Sequence, residues 1–320
     1  MKTLIYGAGP IGRWLALRLQ KAGKDVTLLA RNETYRTLAE RGIEIVDGLT
    51  GERLHARVKL VDRLDREDRY ELVVVAMQKA ARLAICPILA QNRHLKNILF
   101  VGNDLAGTRR YLDHLSADQV LLGFPGVGGG LEGADLVIMD REKPNSHHGE
   151  IFFGELDGAI RDRTLEIKRL FEAADIKVSI EKDMDGWLKY HYAFIAPTAG
   201  MIFEKGGDME AVATDGEAIH RYCRACREAG DVLRKIGYHK RQPPVFNLYY
   251  WLPHWLEPMV FSRLFGSRSA EVRFGLHARA VGPELHEMAR EFIELKSRAG
   301  METPWLDALL DQVPHQPLAD

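Results

Sequence analysis

GAGPIG, residues 7–12, decides how the first half of this 320-residue chain is read. KTLIY (2–6) leads into it, RWLALRLQKAG (13–23) leads out, and DVTLLA (25–30) comes next. KTLIYG has the look of a short buried strand, rich in β-branched and aromatic residues and stopped by a glycine. PIGRWLALRLQKAG has helical spacing, with Ile11, Leu15, Leu17 (less well placed), Leu19 and Ala22 on the apolar side and Gly23 as the stop. DVTLLA is a second strand. In a strand–turn–helix–strand unit each glycine has its own task. Gly7 permits the tight turn, Gly9 lets the backbone approach a pyrophosphate, and Gly12 lets helix and strand pack closely. The anion then lies at the positive end of the helix dipole. Ala8, Pro10 and Ile11 complete this expected cofactor loop.

The end of the second strand selects the dinucleotide. NAD sites place Asp or Glu there to bond the ribose 2′-hydroxyl. This chain has Ala30, then Arg31, with Asn32 and Arg36 close behind. A guanidinium pairs with a 2′-phosphate through charge-assisted hydrogen bonds, whereas a carboxylate repels it. The expected cofactor is therefore NADP, held by Arg31.

The α/β alternation continues through strands at 71–77, 97–104, 120–124, 136–140 and 150–156, a helix at about 79–92, the amphipathic RTLEIKRLFEAAD, and IKVSIEKD, which closes the sheet. Beyond residue 183 the pattern turns helical, with an aromatic, proline-bearing stretch at 243–265. The fold class expected is α/β: an N-terminal Rossmann-type NADP-binding domain (1–183) followed by an all-α C-terminal domain (184–320). The last residues, PHQPLAD, are expected to be disordered. Ligands of open α/β sheets bind beyond the carboxyl ends of the strands. Those ends carry Gly7 to Gly12, Arg31, Met77 and Gln78, Asn103 and Asp104, and Gly123 to Gly130.

A formal net charge of −1, with acids and bases interspersed, argues against nucleic acid or an anionic membrane as main partner. Apolar residues make up 46%, as in ordinary globular proteins, and no run nears the ~20 needed to span a bilayer. Lys2 precedes only a short apolar run that glycines interrupt, so no signal peptide is expected and the protein is read as cytoplasmic. Cys86, Cys223 and Cys226 cannot make a disulfide framework. Cys223 and Cys226 form a CxxC inside a helical pattern with no second ligand pair at zinc spacing, so they are read as packing residues and no metal site is expected. His147 and His148 are read as part of a polar loop.

GAGPIG with its following Arg, NILFVGND, WLKYHYAFIAPTAG and PELHEMAREFIELKSRAGMETP together resemble the ketopantoate reductase (2-dehydropantoate 2-reductase) family over nearly the whole chain. The resemblance implies an NADP-dependent oxidoreductase acting on CH–OH groups and their carbonyl counterparts. It makes Lys189 the catalytic lysine, Asn103 its substrate-side neighbour and Glu284 the acidic partner. Where the family has asparagines one and two turns past the lysine, Ala193 and Pro197 stand here, and Gln78 stands where the family often has Lys. These departures imply a divergent subgroup with a substrate other than ketopantoate.

The chemistry expected is hydride transfer from NADPH to a 2-oxo acid or related small carbonyl compound, with Lys189 supplying positive charge and a proton to the developing alkoxide. A lysine among Trp187, Leu188, Tyr190, Tyr192, Phe194 and Ile195 either snorkels to water or is functional. Tyr192 shares its helix face and is a candidate hydroxyl donor to substrate; His191 points elsewhere and is read first as structural, but it stands as the second substrate-side candidate. Two rival readings are an imine or opine-type reductase and an NADPH-binding redox sensor without turnover. A homodimer is expected from the aromatic helices.

Overall fold

The computed structural model describes residues 1–141, 143, 146–241, 243–276, 278 and 282–313. The tail at 314–320 expected to be disordered lies outside them. Two compact units divide the chain: residues 1–103 with 107–185, and residues 104–106 with 186–320.

The first unit is built on an eight-stranded sheet. Its order is β12-β11-β8-β7-β6-β1-β2-β5: Lys177–Ile180, Glu150–Glu155, Val120–Pro125, Ile98–Val101, Leu72–Val75, Thr3–Tyr6, Val26–Leu29 and Lys59–Val61. The six strands from β8 to β5 are parallel, and β11 joins β8 antiparallel. The inner strands TLIY, VTLL, LVVV and ILFV are buried at every residue, as strands covered on both faces must be. The chain leaves β1 toward β2 on one side and later fills β6 on the other. That reversal of strand order beside β1 is the switch point where such sheets bind ligands.

A second, four-stranded sheet holds β3 (Ile43–Asp47), β4 (Arg53–Ala56), β9 (Gly129–Glu132) and β10 (Asp135–Ile138) in the order β4-β3-β10-β9. It changes the reading of the first helix, α1 (Pro10–Lys21). The sequence pattern gives α1 one apolar side. In the structure it packs on β1 and β2 and also on β3, β4 and β10. Trp14, Leu15, Ala16, Leu17, Arg18 and Leu19 are therefore all buried in succession. A helix covered on both sides has no solvent face to mark with charge.

The one charged member of that run, Arg18, is neutralised locally. Asp140, just past β10, accepts from Trp14 Nε1 (2.6 Å), Arg18 Nε (3.0 Å), Arg18 Nη2 and His148 Nδ1 (2.7 Å). The Asp140 side chain is 1% exposed, so leaving any of its lone pairs unmet would be costly. His148, expected in a polar loop, thus belongs to a buried network, while the exposed His147 Nδ1 lies 2.6 Å from the Asp175 carboxylate. Burial, then the Arg18 and Arg141 guanidiniums, push His148 down to about 4.

Helices make up the second unit. α6 (Met184–Glu204) carries the chain into it, and α7 (Met209–Thr214), α8 (Gly216–Lys235), α9 (Leu248–Trp251) and α10 (Glu257–Phe265) follow. Asp208 and Asp215 cap α7 and α8 by accepting from backbone N–H groups in the first turn. The buried stripe of α8 includes Ile219, Tyr222, Cys223, Cys226, Ala229, Val232 and Leu233 and faces α10 and the helix Pro304–Leu310. Tyr222 meets Tyr249, Phe261 and Phe265 edge-on in its core, and Tyr249 stacks on Phe261. Cys223 and Cys226 are fully buried there, and burial raises both thiols, as suits packing residues. No helix among the described residues is long and apolar enough to cross a membrane.

Candidate active site

Gly7 to Gly12 link β1 to α1 at the switch point, and the three glycines differ in what surrounds them. Gly7 has φ +116°, a conformation that a side chain would strain, and a Cβ there would lie 2.6 Å from the Ala76 carbonyl oxygen. A Cβ on Gly12 would lie 1.8 Å from the Gly7 carbonyl oxygen. Gly9 is the opposite case: nothing lies within 4 Å of a Cβ placed on it. Two glycines are consumed by protein packing, and the middle one faces open space.

Behind that space stands a helix start prepared for an anion. Gly9 is the N-cap of α1 and offers no side-chain acceptor; Pro10 follows, and the first turn contains no acid. The first backbone N–H groups therefore have no capping side chain to satisfy them, and the dipole there is positive. Arg13 adds a cation. Its Nε donates to the Ala8 carbonyl at 2.8 Å, folding the guanidinium back onto the loop. Motif reading does not single out Arg13, because the fingerprint is defined by its glycines.

Arg31 follows β2 and is the N-cap of α2 (Asn32–Arg41). Its guanidinium is exposed and donates from Nη2 to the Tyr6 hydroxyl at 2.7 Å. One hydrogen bond fixes the head and leaves its remaining donors for a ligand. Of the neighbouring cations, Arg36 pairs with Glu33 at 3.2 Å. These residues fit a dinucleotide with a 2′-phosphate.

Met77 and Gln78 follow β6. Met77 Cγ packs 2.6 Å from where a Gly7 Cβ would stand, and Gln78 is the N-cap of α3 (Lys79–Gln91). Lys79 and Arg82, in the first turn of α3, are each only 1% exposed. Arg82 Nη2 donates to the Asn103 backbone carbonyl, and Gly102 at φ +135° leaves space for the Arg82 head. Asn103, two residues past β7, thus sits on a backbone held by a buried guanidinium. Its side-chain Oδ1 is buried and has no hydrogen-bond partner among the described residues, a costly state that a ligand donor would relieve. Arg82 escapes sequence reading because charged residues in a helix are assigned to solvent by default.

Gly123, Gly126 and Gly129 do not join this set. Cβ atoms on them would lie 2.9, 3.1 and 2.2 Å from the carbonyl oxygens of Phe152, Glu150 and Val137, so their bareness serves strand packing.

In the second unit, α6 carries Lys189, His191 and Tyr192. Lys189 is 4% exposed, so its ammonium does not snorkel to solvent; Nζ stands 5.0 Å from the Tyr238 ring centroid. His191 stacks on Trp187 at 5.0 Å and meets Phe194 edge-on, a packing role. Tyr192 is fully buried, and its hydroxyl donates to the Leu285 carbonyl at 3.1 Å. Burial, then the charges of Glu291 and Glu284, raise that phenol well above its ordinary value. The hydroxyl expected to serve a substrate is thus spent on backbone. Glu284 lies in the first turn of the helix Gly282–Ala299 and is half-buried. Ala193 and Pro197 are buried in α6.

Comparison with known proteins agrees with this architecture. Residues 3–158 match the family described as "Ketopantoate reductase PanE/ApbA". A 2-dehydropantoate 2-reductase of Listeria innocua is 25% identical over 158 residues, 49% of this chain and 52% of the relative, so the match spans about half that relative's length. Among solved structures, a 2-dehydropantoate 2-reductase from Geobacter metallireducens superposes with a TM-score of 0.78 at 16% identity, covering 98% of this chain and 99% of that one. A D-mandelate dehydrogenase with NADH and anilino(oxo)acetate gives 0.76 at 14% identity, covering 98% and 97%. The match over residues 3–158 and the curated relatives support the ketopantoate reductase family for the first unit, and the solved structures show the same fold over nearly the whole chain.

Proposed function

We propose that this protein is an NADPH-dependent reductase of a 2-oxo acid or related carbonyl compound, with Lys189 as general acid. The observation that carries the reading is the open space at Gly9 before an uncapped helix start, with Arg31 exposed at the end of the next strand. When bound, NADPH supplies the hydride. The backbone N–H groups at the start of α1 bind the pyrophosphate, and Arg31 binds the 2′-phosphate. Lys189 stabilises negative charge on the substrate oxygen and donates a proton to it. Asn103, with its unmet Oδ1, binds a donor group of the ligand. Glu284 orients the lysine or binds a substrate hydroxyl.

The similar proteins support an oxo acid as substrate: their names specify 2-dehydropantoate and, beside D-mandelate dehydrogenase, anilino(oxo)acetate. Ala193 and Pro197, in place of the amides that a small polar acid would use, favour a more apolar side chain next to the oxo group. The homodimer is proposed on Trp251, Trp255 and Met259, which are 71%, 73% and 62% exposed.

The deciding experiment follows NADPH oxidation with a panel of 2-oxo acids, ketopantoate and aromatic ones included, with and without added amine. The proposal expects turnover without amine. Turnover only with amine would assign an imine reductase, and tight NADPH binding with no turnover above blank would assign a sensor.

A further inference from the structure

Three metal-ligating side chains meet in the second unit, outside the residues given roles above. His220 comes from α8. His254 lies in a single 3-10 turn (His254–Leu256) that runs directly into α10, whose first residue is Glu257. The three-residue spacing of His254 and Glu257 puts both on one side of the turn. His220 Nδ1 lies 2.9 Å from Glu257 Oε2, and His254 Nδ1 lies 3.5 Å from Glu257 Oε1. One nitrogen of each ring and one carboxylate oxygen all lie within 4.8 Å of one another.

We propose that His220, His254 and Glu257 form a zinc(II) site with water in the fourth position. Two imidazoles and a carboxylate are a donor set of open zinc sites. Tetrahedral zinc, with bonds of about 2.0–2.2 Å, needs donors roughly 3.4 Å apart. The widest pair must therefore close by at most roughly 1.4 Å, a shift within reach of a rotamer change of an exposed ring. The burial gradient provides the means: the Glu257 side chain is 1% exposed, His220 31% and His254 66%. The carboxylate is fixed, and the outermost ligand sits where an ion would enter.

Arg227 is the outer-shell partner. Its Nη2 donates to Glu257 Oε1, orienting the carboxylate and leaving Oε2 toward His220. Its charge also opposes a nearby dication, which sets the expected affinity on the order of micromolar rather than nanomolar. A purely structural network would need His220, Glu257 and Arg227 to tie α8 to α10. It would give no task to His254, whose nitrogen stands at the limit of hydrogen-bond reach.

The site is independent of the reductase reading. The test uses the full chain without an affinity tag, stripped by a chelator, and titrates zinc(II) by calorimetry and cobalt(II) by visible absorption. One equivalent is expected, with the absorption bands of tetrahedral cobalt. His254→Ala and His220→Asn should each weaken zinc binding at least about tenfold. Chelated His254→Ala should unfold at the wild-type temperature, and it decides the matter alone if His220→Asn fails to fold. No saturable binding, or undiminished affinity in a folded variant of either histidine, would overturn the proposal.

Discussion

Gly9 and Gly12 put a missing Cβ to two different uses, and substitution should separate them. Gly12→Ala drives a methyl to 1.8 Å from the Gly7 carbonyl oxygen, so β1 and α1 must part. Overpacking of this kind costs typically ~1–3 kcal/mol, and contact with backbone belongs at or above the upper end. Denaturant unfolding should therefore show a large loss of stability. A Cβ on Gly9 meets open space, so Gly9→Val should fold with a wild-type circular dichroism spectrum, yet fail to bind NADPH in a fluorescence titration. Normal NADPH binding by Gly9→Val would reduce the loop to a turn. Arg31 belongs to the same scale. Losing its pair with a 2′-phosphate should cost ~1.5–3 kcal/mol, roughly tenfold to a hundredfold in affinity. Wild type should bind NADPH more tightly than NADH by about that factor, and Arg31→Ala should bind the two alike. Equal affinities in wild type would overturn the assignment of NADP.

Among the elements, α1 carries both the ligand loop and the buried charge network. His148 meets Asp140 through Nδ1, which Arg141 Nε also approaches at 3.1 Å, while Nε2 faces the Arg18 and Arg141 guanidiniums. A second proton on that ring would be buried beside two cations. The unfolded histidine titrates near ~6.5 and the folded one near about 4, so the unfolded chain holds more protons between those values. Stability is therefore fully present above that window and falls as pH drops through it. Urea unfolding from pH 7 to 4.5 should show this slope, and His148→Asn should lack that part of it. Identical pH slopes would place the histidine's charge outside the network. None of this is legible in the sequence. Trp14, Arg18, Asp140 and His148 meet only because a second sheet covers the far side of α1. The strands of that sheet, IEIVD and RLHA, are too short for their alternation to identify the partner they will cover.

For the whole molecule, what could be read depended on where the information lay. The parallel sheet was legible because LVVV and ILFV declare burial on both faces locally, and the strand–turn–helix unit because its three glycines fall within six residues. Arg82 and Lys79 were not, since charge masks burial. His220, His254 and Glu257 were not, since a helix and a later turn must fold together before they meet. Lys189 is singled out in the sequence as a lone cation among apolar and aromatic residues and by the family resemblance, and its helix pattern alone leaves open whether the ammonium reaches water. The division of labour proposed is that the first unit grips NADPH while α6 of the second supplies the acid. Kinetics of Lys189→Ala test it most directly, on a substrate found with the carbonyl panel. General-acid and electrostatic contributions are each worth ~10²–10⁴ in rate. The variant should lose at least about a hundredfold in kcat while its Kd for NADPH stays within about twofold of wild type. A Lys189→Ala enzyme that keeps near-wild-type kcat would contradict the account.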